Sequence, residues 1–177
     1  MNTVIKLIVF TALLGFLYSC SPLTPYTPKV QSEYGIADED IEKIQFYLSK
    51  DIIFYRAESG AQTATEGGEL VISSDRNTEQ VVIEKGTKGI LEKKDGSNRI
   101  AIRFEPGDEK YLYFVSNSFG GKYVLDAKWQ NNVGELKYGG HTYYATSSSR
   151  DAFLQFKVRK FQRDNSSKRK VGGMEVN

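Results

Sequence analysis

The chain has 177 residues, with 24 basic and 22 acidic side chains and a net charge of +2. That length suits one domain with an adequate core, and the balance offers no global field for nucleic acid. A single cysteine (Cys20) and a single histidine (His141) exclude a disulfide framework and leave a zinc site short of ligands.

Residues 1–20 read MNTVIKLIVFTALLGFLYSC. Lys6 gives the short first segment its positive charge, and Leu7 to Leu17 form an uncharged apolar run. That run has the length of a signal-peptide core and is too short for a bilayer interior of ~30 Å. It ends in Leu17-Tyr18-Ser19-Cys20, with Leu three before a cut, a small residue one before it and Cys just after it. This ending resembles the lipobox of bacterial lipoproteins. The resemblance covers these first residues alone. It implies removal of residues 1–19, acylation of Cys20 (palmitate among the chains) and anchoring in an envelope bilayer. Ser21 follows the cysteine where Asp would imply retention at the inner membrane, so the same resemblance implies an outer-membrane lipoprotein facing the periplasm. It implies no activity.

Beyond the anchor, Ser21 to Ser32 hold three prolines and no hydrophobic period, so residues 20–35 read as a lipid-anchored tether. A helix is expected from Asp38 as cap to about Ser49, with Glu39 and Asp40 in its first turn and Ile41, Ile44 and Leu48 at helical spacing. From Asp51 the pattern changes to short apolar runs: DIIFYRA, ELVIS, QVVIE and ILEKK, the last after the turn Lys-Gly-Thr-Lys-Gly. Asp95-Gly96 precedes NRIAIRFE, in which Ile100, Ile102 and Phe104 alternate with Ala101, Arg103 and Glu105. After Pro106-Gly107 come YLYFV, apolar on both faces and so central, and KYVLDAKW. GELKY and HTYYAT flank Gly139-Gly140, a two-residue hairpin turn needing positive φ, and AFLQFKV closes the series. About eight or nine strands at this spacing predict a mainly β domain over 36–162. The expected form is a small antiparallel barrel or sandwich with one short N-terminal helix, a partly open barrel being preferred. The tail 163–177 is polar and basic and reads as disordered. Lys157, Arg159, Lys160 and Arg163, then Lys168-Arg169-Lys170, make a basic stretch suited to a solvated face or to anionic head groups.

Catalytic sets are sparse. His141 has Ser147, Ser148, Ser149 and Asp151 near it in sequence, but no Gly-x-Ser-x-Gly elbow is present. Glu105, Asp108 and Glu109 are the closest carboxylate cluster for glycan hydrolysis, and a solvated turn accounts for them. No cofactor, metal or catalytic residue is therefore expected. The aromatic residues Tyr111, Tyr113, Tyr123, Trp129, Tyr138, Tyr143 and Tyr144 all fall on expected strands. On one exposed face they would form a platform for glycan or protein; packed across strands they would be core. The leading expectation is a non-catalytic lipid-anchored envelope module with an envelope protein or glycan as partner, no nucleic acid, and the bilayer reached through Cys20. The first alternative is a periplasmic inhibitor or immunity-type lipoprotein presenting Asn117 to Gly121. Some lysozyme inhibitors are lipoproteins of similar size, though with a disulfide that has no counterpart here. The third is a glycan-binding or glycan-active protein.

Overall fold

Proline is tolerated where a backbone N–H has no partner to lose, and the start of the chain uses it that way. The computed structural model describes residues 22–57, 64–66, 69–71, 78–116 and 121–158. In it β1 (Thr24–Pro25) pairs antiparallel with β14 (Leu154–Phe156), Thr24 opposite Phe156. β1 is an edge strand, so Pro25 removes no ladder bond. Thr27 caps α1 (Pro28–Glu33): its Oγ1 accepts from Val30 N at 3.0 Å, and Pro28 sits in the first turn, where N–H groups are unbonded anyway. The tether expected over 20–35 is corrected accordingly. From Thr24 onward this segment is folded, and Tyr26 is fully buried.

The helix expected to reach Ser49 is also corrected. α2 (Asp38–Ile41) is a single turn whose N-cap is Ala37, without a side-chain cap bond. Asp38 instead pairs with Lys94 at 2.5 Å. The chain then enters β2 (Phe46–Leu48), between β14 and β7 (Lys88–Lys94). Ile41, Ile44 and Leu48 are buried as the helical stripe required, but Phe46 is buried too. Phe46 and Leu48 are a period-two pair, and ladder partners on both sides outweigh a helix of low intrinsic support.

The remaining strands are β3 (Ile52–Ala57), β4 (Ala64–Glu66), β5 (Glu69–Val71), β6 (Thr78–Ile83), β8 (Arg99–Arg103), β9 (Tyr111–Val115), β10 (Val124–Leu125), β11 (Lys128–Gln130), β12 (Val133–Tyr138) and β13 (His141–Ala145). They form a seven-stranded sheet, β1-β14-β2-β7-β8-β9-β10, a five-stranded sheet, β11-β12-β13-β3-β6, and the hairpin β4-β5. All the pairings are antiparallel, as expected of a mainly β chain. The preference for a barrel is corrected, because the ladders form two separate sheets, a sandwich-like arrangement. One isolated bridge, Val124 to Phe153, ties β10 to the residue before β14. The expected strand 122–129 divides between the two sheets, one reason the strand count exceeds the expected one. Its break is fixed by Asp126, whose N–H donates to Tyr113 O at 2.8 Å and whose carboxylate accepts from Arg99 Nε at 2.6 Å.

Residues Thr24–Phe156 make one compact unit. The inner face of the five-stranded sheet is an aromatic cluster in which Phe54 meets Tyr138 and Tyr143 edge-on, both at 5.1 Å. In the seven-stranded sheet Tyr26 stacks on Tyr123 at 5.2 Å and meets Phe46 and Phe156 edge-on at 5.1 and 5.6 Å. Gly89 is required there: a Cβ would come within 2.5 Å of Ile102 Cγ2. Gly139 and Gly140, at φ 55° and 77°, make the tight turn that the sequence asked for between β12 and β13.

Tyr26 carries a cost in this packing, since its buried hydroxyl has no hydrogen-bond partner and burial pushes its pKa up. An unsatisfied buried hydroxyl costs on the order of 1–3 kcal/mol. Tyr26→Phe keeps the ring contacts and is expected to stabilise the chain by about 1 kcal/mol in urea denaturation. A clear loss of stability would mean that the hydroxyl is bonded in solution.

Candidate functional site

Alternation along β8 and β9 sends Ile100, Ile102, Leu112 and Phe114 into the core, and it directs Arg99, Arg103, Tyr111 and Tyr113 to the other face. Ala101 lies between Lys93 and Tyr113 in register. It is fully buried because these larger side chains meet across it. Lys93 Nζ donates to Tyr111 Oη at 3.0 Å and stands 4.7 Å from the Tyr111 ring centre and 5.7 Å from that of Tyr113. The Arg99 guanidinium covers the Tyr113 ring at 3.6 Å while bonding to Asp126 and Asp95. The rings thus hold their cations both by the quadrupole of the ring face and by a phenol oxygen.

This surface opens into a cleft of about 400 Å³ lined by Arg99, Tyr111, Tyr113 and Asp126 on one side and by Lys128, Leu136 and Tyr138 on the other. The cleft runs between β9 and the hairpin of β11 and β12. Leu136 and Tyr138 supply apolar wall, and Lys128 pairs with Glu135 within the lining at 3.7 Å. Two further pairs stand outside the lining. Arg103 takes Glu92 through two bonds of 2.6 and 2.7 Å, which hold the Glu92 carboxyl below its usual range. Lys110 pairs with Glu105 at 2.9 Å.

The expected aromatic platform divides among several places. Tyr111 and Tyr113 are half-buried in the cleft, meeting edge-on at 5.5 Å. Tyr138 borders the same cleft but is buried, like Tyr123 and Tyr143, and these three are core residues. Trp129 lies across Gly134, its ring 2.9 Å from where a Cβ would be, under the Arg150 guanidinium at 4.8 Å. Tyr144 is half-buried on the outer face of the five-stranded sheet, in register with Tyr55 and Glu135. The seven rings thus divide between the two readings, into a cleft pair, a core set and two outlying rings. Tyr143 is inward because it stands opposite buried Leu136, and Tyr138 and Tyr123 because their rings pack on Phe54 and Tyr26.

Sequence reasoning did not find Lys93, Arg99 and Asp126. The outward alternation of Arg99 and Arg103 was legible; the partners from β7 and the β10–β11 turn were not. The low-ranked chemical candidates are held apart. His141 is exposed at the start of β13, whereas the 3₁₀ turn Ser147–Ser149 follows the other end of that strand, about 13 Å away by strand rise. Ser149 is buried, its hydroxyl accepting from Ile53 N at 2.9 Å. Glu105 accepts from Tyr138 Oη at 2.7 Å, and that bond, followed by the one from Lys110, keeps its carboxyl below the usual range. No metal-binding cluster occurs among the described residues. Asn117 to Gly120, most of the suggested inhibitory loop, and Cys20 lie outside the described residues. Compared with known protein families, curated proteins and solved structures, the chain matches none.

Glu105 gives the site a pH signature. Folding lowers its pKa, so its contribution to stability is complete above the unfolded value of about 4.5 and is lost as pH falls through the lower folded value. In thermal melts across the acid range, the wild type is expected to lose stability more steeply than Glu105→Gln. Parallel acid limbs would remove the Tyr138–Glu105–Lys110 network from the account.

Proposed function

We propose that this chain is a lipid-anchored, non-catalytic protein of the bacterial envelope, held at the outer membrane through Cys20, that binds another envelope component in the cleft beside Tyr111 and Tyr113. The observation that carries the reading is that ring pair with its two cations. Amphipathic aromatic rings and Arg are the residue types enriched at recognition surfaces. A volume of about 400 Å³ falls within the range of roughly 300–1,000 Å³ of ligand sites. It suits a short stretch of a larger partner.

The charges favour binding over chemistry. The cleft lining balances Arg99, Lys128 and Lys137 against Glu109, Asp126 and Glu135, so the cleft offers hydrogen bonds and ring faces to a ligand of little net charge. Glu105 is stabilised as carboxylate by two donors, the reverse of what a glycosidic general acid needs. The inhibitor reading keeps one specific support: Ser116 Oγ donates to Gly121 O at 2.9 Å, and Asn98 Nδ2 to Ser116 O at 3.2 Å, clamping the base of the segment 117–120.

In-cell cross-linking of the natively anchored protein, followed by identification of what co-purifies, tests the proposal. The expected result is a recurrent envelope protein or glycan at defined stoichiometry, reduced about ten-fold or more when Tyr111→Ala and Tyr113→Ala are combined, in the range of paired hot-spot losses. A partner retained by that variant but lost when 117–120 is replaced would favour the inhibitor reading. Recovery of no partner with the wild type would contradict binding in the cleft.

A further inference from the structure

Main-chain bonds fix which way each residue of β3 faces within its sheet. The Ile53 N–H donates to Ser149 Oγ at 2.9 Å and its carbonyl accepts from Thr146 N at 3.0 Å, so both groups point to the β13 side. The rung partner of Ile53 on β6 is Val82, and Tyr55 stands opposite Gln80 in the same ladder. In an antiparallel ladder, a residue turned away from its neighbour strand faces one that is turned away too. The N–H and C=O groups of Val82 and Gln80 therefore point out of the edge of the sheet. Among the described residues, β6 pairs with β3 alone.

Edge strands are commonly blunted by proline, lysine, a bulge or a covering segment. β1 carries Pro25, β11 carries Lys128 and β10 is bridged to Phe153. Among the described residues β6 has none of these. Its rungs with β3 run without a bulge, and its outer face presents Gln80 and Val82, the latter 47 % exposed. Glu79, on the inner face, is met by Arg56 at 2.9 Å. Such an edge specifies an extended main chain as its occupant. The strand is also complementary to itself. With Val81 opposite Val81 of a second copy, Gln80 and Val82 exchange both main-chain bonds across the axis. The exposed Val82 side chains then meet on the diagonal, and Glu79 lies diagonal to the exposed Lys85. Centring the pair on Gln80 instead would set Glu79 diagonal to Glu79 of the second copy. Centring it on Val82 would need Glu84, whose carbonyl already accepts from Thr87 N at 3.1 Å.

We propose that β6 pairs antiparallel with β6 of a second copy of the chain about Val81, joining two five-stranded sheets into one continuous sheet across a symmetric dimer. The inference needs neither the acyl anchor nor the cleft. Two measurements on the full chain test it. The first is disulfide cross-linking in cells under mild oxidation, with wild type as the control for Cys20. Val81 is half-buried and Val82 exposed, so random collision would favour cross-linking of Val82→Cys. Pairing about Val81 sets Val81→Cys opposite itself at a Cα separation of about 4.5 Å, within disulfide range, and is expected to favour that variant about ten-fold. The second is sedimentation of the purified chain over a dilution series. Wild type is expected to pass from monomer to dimer with rising concentration, and Gln80→Pro and Val82→Lys to need about ten-fold more protein or to stay monomeric. Proline at position 80 removes no bond to β3, because the Gln80 N–H points outward, and Val82→Lys would bring two ammonium groups together on the diagonal. Thermal melts of both variants are the control for folding. A wild type that stays monomeric throughout, or a dimer that both folded variants retain, would overturn the proposal. So would cross-linking that favours Val82→Cys, or open-ended aggregates in place of a dimer.

Discussion

The backbone of Leu154 joins three parts of the chain. Its N–H donates to Tyr123 O at 3.0 Å, its carbonyl accepts from Tyr26 N at 2.8 Å, and it stands opposite Leu48 in the ladder with β2. The segment before β10, the segment after β1, and β2 thus all depend on one buried residue near the end of the compact unit. Tyr26 and Tyr123, which flank it, stack on each other, so the hydrogen bonds lie inside apolar packing where water does not compete for them. The unbonded Tyr26 hydroxyl is the cost of that arrangement.

The cleft depends on the same closure. β9 carries Tyr111 and Tyr113, and its partner β10 is fixed at its far side by Leu125 N donating to Ala152 O at 2.9 Å. From that fixed strand Asp126 turns the chain to β11 and at once restrains Arg99, which covers Tyr113. A change in the β10–β14 junction would therefore reach the cleft through a short series of main-chain bonds and one carboxylate. Compensated charges and ring faces on a rigid sheet suit recognition of a partner with little net charge.

Strand content and several turns were legible in the sequence, because Asp95-Gly96 and Gly139-Gly140 carry their conformational demand in residue type and the runs between them alternate. The N-terminal segment was misread because three prolines look alike in composition; only pairing reveals that Pro25 sits on an edge and Pro28 in a first helical turn. The Ile41, Ile44, Leu48 stripe fitted both a helix and a turn followed by a strand, and only the ladders of β14 and β7 decide between them. For the cleft, Tyr111 and Tyr113 were visible as candidates. Their separation from Tyr123, Tyr138 and Tyr143 was not, since it depends on which strand faces which sheet. Lys93, Arg99 and Asp126 come together only through non-local register, which local patterns do not encode.

Hydrogen exchange of the Tyr26, Leu125 and Leu154 amides tests this account most directly. If the closure around Leu154 organises both chain ends and the cleft, these amides exchange at the slow rate of global unfolding and share its response to denaturant. Fast exchange at Tyr26 and Leu154, with Leu112 and Phe114 still protected, would contradict it. That result would return residues 20–35 to a tether.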